Sequence, residues 1–270
     1  MNAQSSDMSS DALTALAADM PAAGRVIFCD DTEVGEVEGL EPDVGLQVAV
    51  EMTPAAYAVA ATRLNAHLAN DLPTEFHATD IVAGRKRTPW ALVSIERRLE
   101  AFSEISATLI ETDARLCYVH IPESQYDGER ARLTAAGLDP KLGWKPAIRR
   151  VLLRSLISES RAAARPTLIV TDQHSPIASP RIDRSETAPD LVGGGVIMAP
   201  SDQIPGLQLA DMAAFCMGRH LRRRSGYDPA ALHGFDRVVV ETMAAFAERT
   251  RSLLKATAND GFQSNACGDP

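Results

Sequence analysis

Thr167-Leu168-Ile169-Val170-Thr171-Asp172 is the stretch on which the fold turns. It is β-branched and apolar over the length of an interior strand, and an acid closes its carboxyl end. A second run, Val26-Ile27-Phe28-Cys29, reads as another buried strand and also ends in acids, Asp30 and Asp31. Uninterrupted apolar runs of this kind belong to strands covered on both faces.

The rest of the chain supplies the cover. Leu46, Val48, Val50 and Met52 alternate with Gln47, Ala49 and Glu51, the pattern of a half-exposed strand. Thr53-Pro54 then opens a helix that buries Tyr57, Ala60, Ala61, Leu64 and Leu68. Leu92, Ile95, Leu99, Phe102, Ile105 and Leu109 describe a second helix, followed by the strand Leu116 to Ile121. Pro146 opens another, with Ile148, Leu152 and Leu156 inward, and the stretch Asp190 to Ala199 carries a last short strand. A final helix is marked by Phe235, Val238, Met243, Phe246 and Leu253. Strands interleaved with helices predict an α/β fold, a mixed central sheet with helices on both faces.

At 270 residues and 45% hydrophobic content, one domain spanning residues 23–256 buries a substantial core. Residues 1–22 and 257–270 lack sustained periodicity and are expected to be mobile. Met1 to Met20 has neither a basic start nor a continuous apolar core, and no apolar run approaches the roughly 18 residues of a membrane span. A cytoplasmic protein with no membrane partner is the expectation. Cys29, Cys117, Cys216 and Cys267 are far apart and the first three fall in apolar segments, so reduced, buried thiols are expected.

Chemistry concentrates elsewhere. In Pro205-Gly206-Leu207-Gln208-Leu209-Ala210-Asp211-Met212, three positions separate Gln208 from Asp211, which puts both on one helical face. That face borders the stripe of Leu207, Ala210, Ala214, Met217 and Leu221. An ionised acid beside a core stripe requires a hydrogen bond, a counter-charge or a metal. Three other acidic sites are candidates to meet it: Asp30-Asp31, Glu75-Phe76-His77-Ala78 with Asp80 behind it, and Asp172. Ligands bind at the carboxyl ends of strands in open α/β sheets, so Asp30, Asp172 and Asp211 are expected to converge. Each also has a plain structural reading, as a turn former, a helix cap or one half of an ion pair with arginine.

In order, the acid-rich turn after the first strand, Glu-aromatic-His-Ala, a strand ending in Asp, and Gly-Leu-Gln-Leu-Ala-Asp resemble the domain-of-unknown-function family 3800, regarded as ribonuclease H-like. The resemblance covers roughly residues 25 to 222, and its most specific part runs from Gln208 to Asp211. Members of that family carry Asp-Glu-Ser-Gly after the first strand, where this chain has Asp30-Asp31-Thr32-Glu33.

The resemblance implies a metal-dependent nuclease that hydrolyses phosphodiester bonds, with RNA or DNA as partner. Two divalent ions about 3.5–4 Å apart can activate water and stabilise the charge of an in-line displacement. Magnesium or manganese suits a set of carboxylates without thiolates. Asp30, Asp31, Glu75, Asp172 and Asp211 are the metal ligands this implies, with Asp30 bridging, and His77 is the proton donor or the residue that orients Glu75. Gln208 is expected to donate a neutral hydrogen bond either to phosphate or to a group behind the metal ligands, and Arg85, Lys86, Arg222 and Arg223, in two basic runs, are expected to touch phosphate. His174 lies two residues beyond Asp172; His67 and His220 are expected at the surface. The net charge of −9 argues against broad, non-specific nucleic-acid binding.

The competing class is a catalytically lapsed relative kept as a nucleic-acid or protein-binding module, which the altered turn after Asp30 would explain. A phosphatase of the haloacid dehalogenase type needs a second Asp where Thr32 stands. Gly193-Gly194-Gly195 is no dinucleotide fingerprint, and there is no Walker lysine, serine elbow or His-Glu-x-x-His.

Overall fold

The computed structural model describes residues 10–33, 45–68, 75–84, 86, 88–121, 131, 134–135, 144–172, 181–184, 188–222 and 234–253. Among these residues seven strands form one mixed sheet: β1 (Arg25–Glu33), β2 (Gly45–Met52), β3 (Arg115–Ile121), β4 (Thr167–Asp172), β5 (Arg181–Asp183), β6 (Val196–Ala199) and β7 (Thr250–Ser252), in the order β5-β6-β4-β1-β2-β3-β7. β1, β2 and β3 are antiparallel neighbours, while β4 runs parallel to β1 and β6 parallel to β4. Thus β1, β4 and β6 point the same way, and their carboxyl ends lie side by side.

Helices cover both faces, as the interleaved pattern predicts. One face carries α1 (Ser10–Ala18), α2 (Pro54–Leu68), α3 (Ala78–Ala83), α4 (Ile95–Glu111), α6 (Pro205–Arg222) and α7 (Phe235–Ala245). The other carries α5 (Trp144–Ala163), whose Ile148, Leu152 and Leu156 pack on Ile27, Cys29, Ala49 and Ile169. The pleat sorts each strand: Val26 and Phe28 join the first layer, Ile27 and Cys29 the second. Thr53 caps α2 as its position before Pro54 predicts, its hydroxyl accepting from Ala56 N–H at 3.2 Å.

Several expectations are corrected. β2 is not half-exposed: Gln47 is 2% and Glu51 8% exposed, because α5 covers the face to which they point. Leu92 and Ile95 do not belong to the buried stripe of α4. The helix starts only at Ile95, capped by Ser94, whose hydroxyl accepts from Arg97 N–H, and Leu92 stands 94% exposed in the preceding turn. The N-terminal segment is not wholly irregular, since α1 buries Leu13 and Ala17. The last helix ends at Ala245, so Leu253 follows the edge strand β7 instead of extending a helical stripe. Among the described residues no helix is long and apolar enough to cross a membrane. Residues 257–270, with Cys267, lie outside the described residues, as do His174 and His233.

Cys29, Cys117 and Cys216 are buried, unpaired thiols. Burial pushes Cys117 up to about 11, Cys216 up to about 12 and Cys29 higher still, which leaves them protonated and unreactive.

Candidate active site

Helix α6 lies almost flush against β1, and glycine makes that approach possible. A Cβ on Gly206 would sit 2.3 Å from the Phe28 ring, and one on Gly218 would sit 2.9 Å from the Thr32 methyl. Phe28, Asp30 and Thr32 share one side of the pleat. With the helix held on Phe28 and on Thr32, Asp211 between the two glycines is brought beside Asp30. By the same alternation Asp172 shares the face of Leu168 and Val170, which lie in the layer with α6.

The fourth segment is fastened by α6 itself. Gln208 Oε1 accepts from Phe76 N–H at 3.2 Å, and Asp211 Oδ2 accepts from Ala78 N–H at 2.6 Å. Residues three apart on a helix face thus hold alternate N–H groups of an extended segment. The other end of Gln208 is also engaged: Nε2 donates to Ser201 O at 3.1 Å. With 2% of its surface exposed and both ends of its amide bonded, Gln208 ties residues 75–78 to the turn after β6. Ser201 Oγ donates to Glu75 Oε1 at 2.7 Å, and Trp90 Nε1 donates to Glu75 O at 2.9 Å. Phe76 and Trp90 pack with ring centroids 5.9 Å apart, anchoring the segment from below.

These segments enclose a cleft of about 400 Å³ lined by Asp30, Glu75, His77, Asp80, Asp172, Ser201 and Asp211, with Phe76 and Asp31 completing it. No lysine or arginine is among the described residues that line it. His77 bridges two of the acids, Nδ1 lying 3.3 Å from Asp80 Oδ2 and Nε2 3.7 Å from Asp211 Oδ1. The charge shows in the acids' proton affinities. Burial, with Asp211, Asp172 and Asp31 adding their repulsion, pushes Asp30 well above the usual carboxylate range, although Asp31 N–H donates to its Oδ1 at 2.8 Å. Burial likewise pushes Asp211 up to about 6, with Glu75 and Asp172 adding to it and His77 and the Ala78 N–H opposing.

Of the sequence-derived residues, the fold therefore brings together Asp30, Glu75, His77, Asp172 and Asp211. Asp31 also borders the cleft, but the pleat sends its side chain toward α5, where Oδ1 is 4.0 Å from the Arg149 guanidinium. Arg149 also donates to Asp172 O at 3.2 Å. Lys86 is exposed, and Arg222 is exposed at the far end of α6, roughly 16 Å along the axis from Asp211 at the usual rise. Arg85 and Arg223 lie outside the described residues. His67 is half-buried and 3.1 Å from Glu104, away from this cleft. Two contributors were not singled out as site residues from sequence. Asp80 lies three residues beyond His77, the spacing of one helical face, and that spacing could have flagged it. Ser201 has no such signal.

The donor set fits magnesium or manganese in kind, being all carboxylate oxygen with one imidazole. A cation would also relieve the repulsion that raises Asp30 and Asp211. Among the described residues, however, no three His, Cys, Asp or Glu groups are already arranged to hold a metal ion. Compared with protein-family models, with curated proteins and with solved structures, the chain has no significant match.

Proposed function

We propose that the cleft is the site of a nuclease that hydrolyses phosphodiester bonds with the help of magnesium or manganese, two ions in all. One observation carries the reading: Asp30, Glu75, Asp172 and Asp211, from four separate stretches of chain, line one cleft at the carboxyl ends of parallel strands with no lysine or arginine among its described lining. A cluster built for stability would alternate its signs. The resemblance of these same positions to a ribonuclease H-like family gives the reading its reaction class.

Divalent ions bound there would supply Lewis acidity, neutralise the phosphodiester and lower the pKa of a bound water. Asp30 and Asp172, from adjacent strand ends, and Asp211 and Glu75 would hold them. Asp211 has committed Oδ2 to Ala78 and Glu75 has committed Oε1 to Ser201, so each offers mainly its other oxygen. His77, with 41% of its side chain exposed at the rim, is the group to pass a proton to the leaving oxygen. The nucleic-acid strand would run on toward Lys86 and toward the end of α6, where Arg222 can meet only a phosphate remote from the cleft.

A lapsed, purely binding relative is the second reading. It is favoured by Asp31, which turns to Arg149 in place of a ligand role, and by the absence of an assembled ligand set among the described residues. Labelled single- and double-stranded RNA, DNA and hybrids, incubated with magnesium, manganese or chelator, separate the two. Nuclease action requires cleavage of at least one substrate, its loss in chelator, and a drop of orders of magnitude in a folded Asp30→Asn variant. Binding without cleavage in any metal would establish the second reading.

A further inference from the structure

We infer that Ser201 is a positioning residue for Glu75, and that its hydroxyl sets the cation affinity of the cleft by deciding which Glu75 oxygen faces it. This rests on reading the cleft as a cation site. Glu75 lies, among the described residues, in neither a helix nor a strand, and a glutamate has three rotatable bonds between backbone and carboxylate. Left alone, it would lose considerable side-chain entropy on ligating an ion. Two contacts remove that freedom in advance. Trp90 fixes the Glu75 main chain through its carbonyl, and Ser201 Oγ holds Oε1 at 2.7 Å. Among the described residues, Oε2 is left as the oxygen available to the cleft.

Ser201 is itself held. It opens the short turn Ser201–Gln203 directly after β6, so the parallel strand beside β4 delivers it to the same end of the sheet as Asp172. Gln208 Nε2 bonds its carbonyl, while Gln208 Oε1 bonds Phe76 N–H next to Glu75. One buried amide therefore fixes both partners of the Ser201–Glu75 hydrogen bond at their backbones. A hydroxyl that donates to a carboxylate oxygen orients the carboxylate, and loss of such outer partners of metal ligands commonly costs 10–100-fold in affinity.

The test is a manganese titration of the whole chain, read by calorimetry and by the metal-induced rise in melting temperature, on wild type, Ser201→Ala, Ser201→Thr, Glu75→Gln and the double variant Ser201→Ala with Glu75→Gln. Ser201→Ala should bind manganese about 10-fold more weakly with its melting temperature in chelator nearly unchanged, and Ser201→Thr, which keeps the hydroxyl, should restore most of the affinity. In the Glu75→Gln background, Ser201→Ala should have little further effect, since the hydroxyl acts through that carboxylate. Equal affinity of Ser201→Ala and wild type would overturn the inference while leaving the cation site intact. So would equal losses in the alanine and threonine variants, or additive losses in the double variant. A wild type that binds no manganese would overturn the cation site, and this inference with it.

Discussion

The two faces of the sheet each hold a cluster of charges, and they are built on opposite rules. On the α5 side, at the start of β1, Arg25 pairs with Glu51 at 3.3 Å, and Arg251 pairs with Glu159 and lies 3.5 Å from Glu51. Arg25 spends its remaining donors on Thr167 Oγ1 and Leu156 O, both at 3.0 Å. Signs alternate there and the donors of Arg25 have acceptors. On the α6 side, at the other end of the same strand, Asp30 faces Asp211, Asp172 and Glu75, and among the described residues that line the cleft His77 alone offsets them. The first arrangement is what burial of charge requires if the fold is to gain by it. The second tolerates repulsion, which is the expected mark of a site whose counter-charge arrives from outside.

The largest effect should come from breaking the paired cluster. Arg25→Ala leaves Glu51 buried without its nearest cation and should cost about 3–5 kcal/mol in urea unfolding, with no change in the cation response of the cleft. A loss below about 1 kcal/mol would mean that the network contributes no more than surface pairs do.

Acidity should move the other cluster in the opposite sense. Burial raises the folded pKa of Asp211 from its ordinary 3.8 to about 6, so the folded state holds an extra proton between those values. Stability in chelator should therefore fall as pH rises through that window, by at most about 3 kcal/mol from this residue, and level off above it. Asp211→Asn keeps an acceptor for Ala78 N–H and should flatten the slope; an unchanged slope would assign the titration to other groups. Saturating manganese should flatten it too.

Seating of α6 comes next. Gly206→Ala drives a methyl into the Phe28 ring and should cost about 1–3 kcal/mol. Because the same contact holds Asp211 beside Asp30, the variant should also bind manganese more weakly. A stable variant with unaltered binding would show that the helix can lift without disturbing the acids.

The smallest effect is expected at Arg222. Arg222→Gln should change stability by less than about 0.5 kcal/mol. If the residue meets phosphate, it should reduce the slope of binding against log salt by about 0.7 on single strands or 0.9 on duplex. Identical slopes would remove it from the nucleic-acid path.

Legibility in sequence followed the range of the interactions. β1 and β4 were readable because continuous apolar runs announce strands covered twice, and their terminal acids were readable from position alone. Asp211 stood out as an acid beside a core stripe. β2 was misread because Gln47 and Glu51 look solvent-bound until their partners, 26 residues away for Glu51, are in view. At Gln208 the sequence left two roles open, because a carboxamide beside an acid does not show its partner and the N–H group it holds is 132 residues distant. β5 and β7, three residues each, are too short to show a period. Ser201 carries no local signal at all, since its importance comes from lying next to Glu75 across the end of the sheet.

The pleat of β1 has a consequence for how this chain can vary. Arg25 points to one side of the sheet and Asp30 to the other, so the interval between them must keep its parity. Gain or loss of one residue within Val26–Cys29 would turn Asp31 or its neighbour into the acidic cleft, or carry Arg25 across to the wrong layer, unless a bulge absorbed the change. Two residues could come or go with the faces preserved. Chains built on this plan should therefore differ in that strand by even steps.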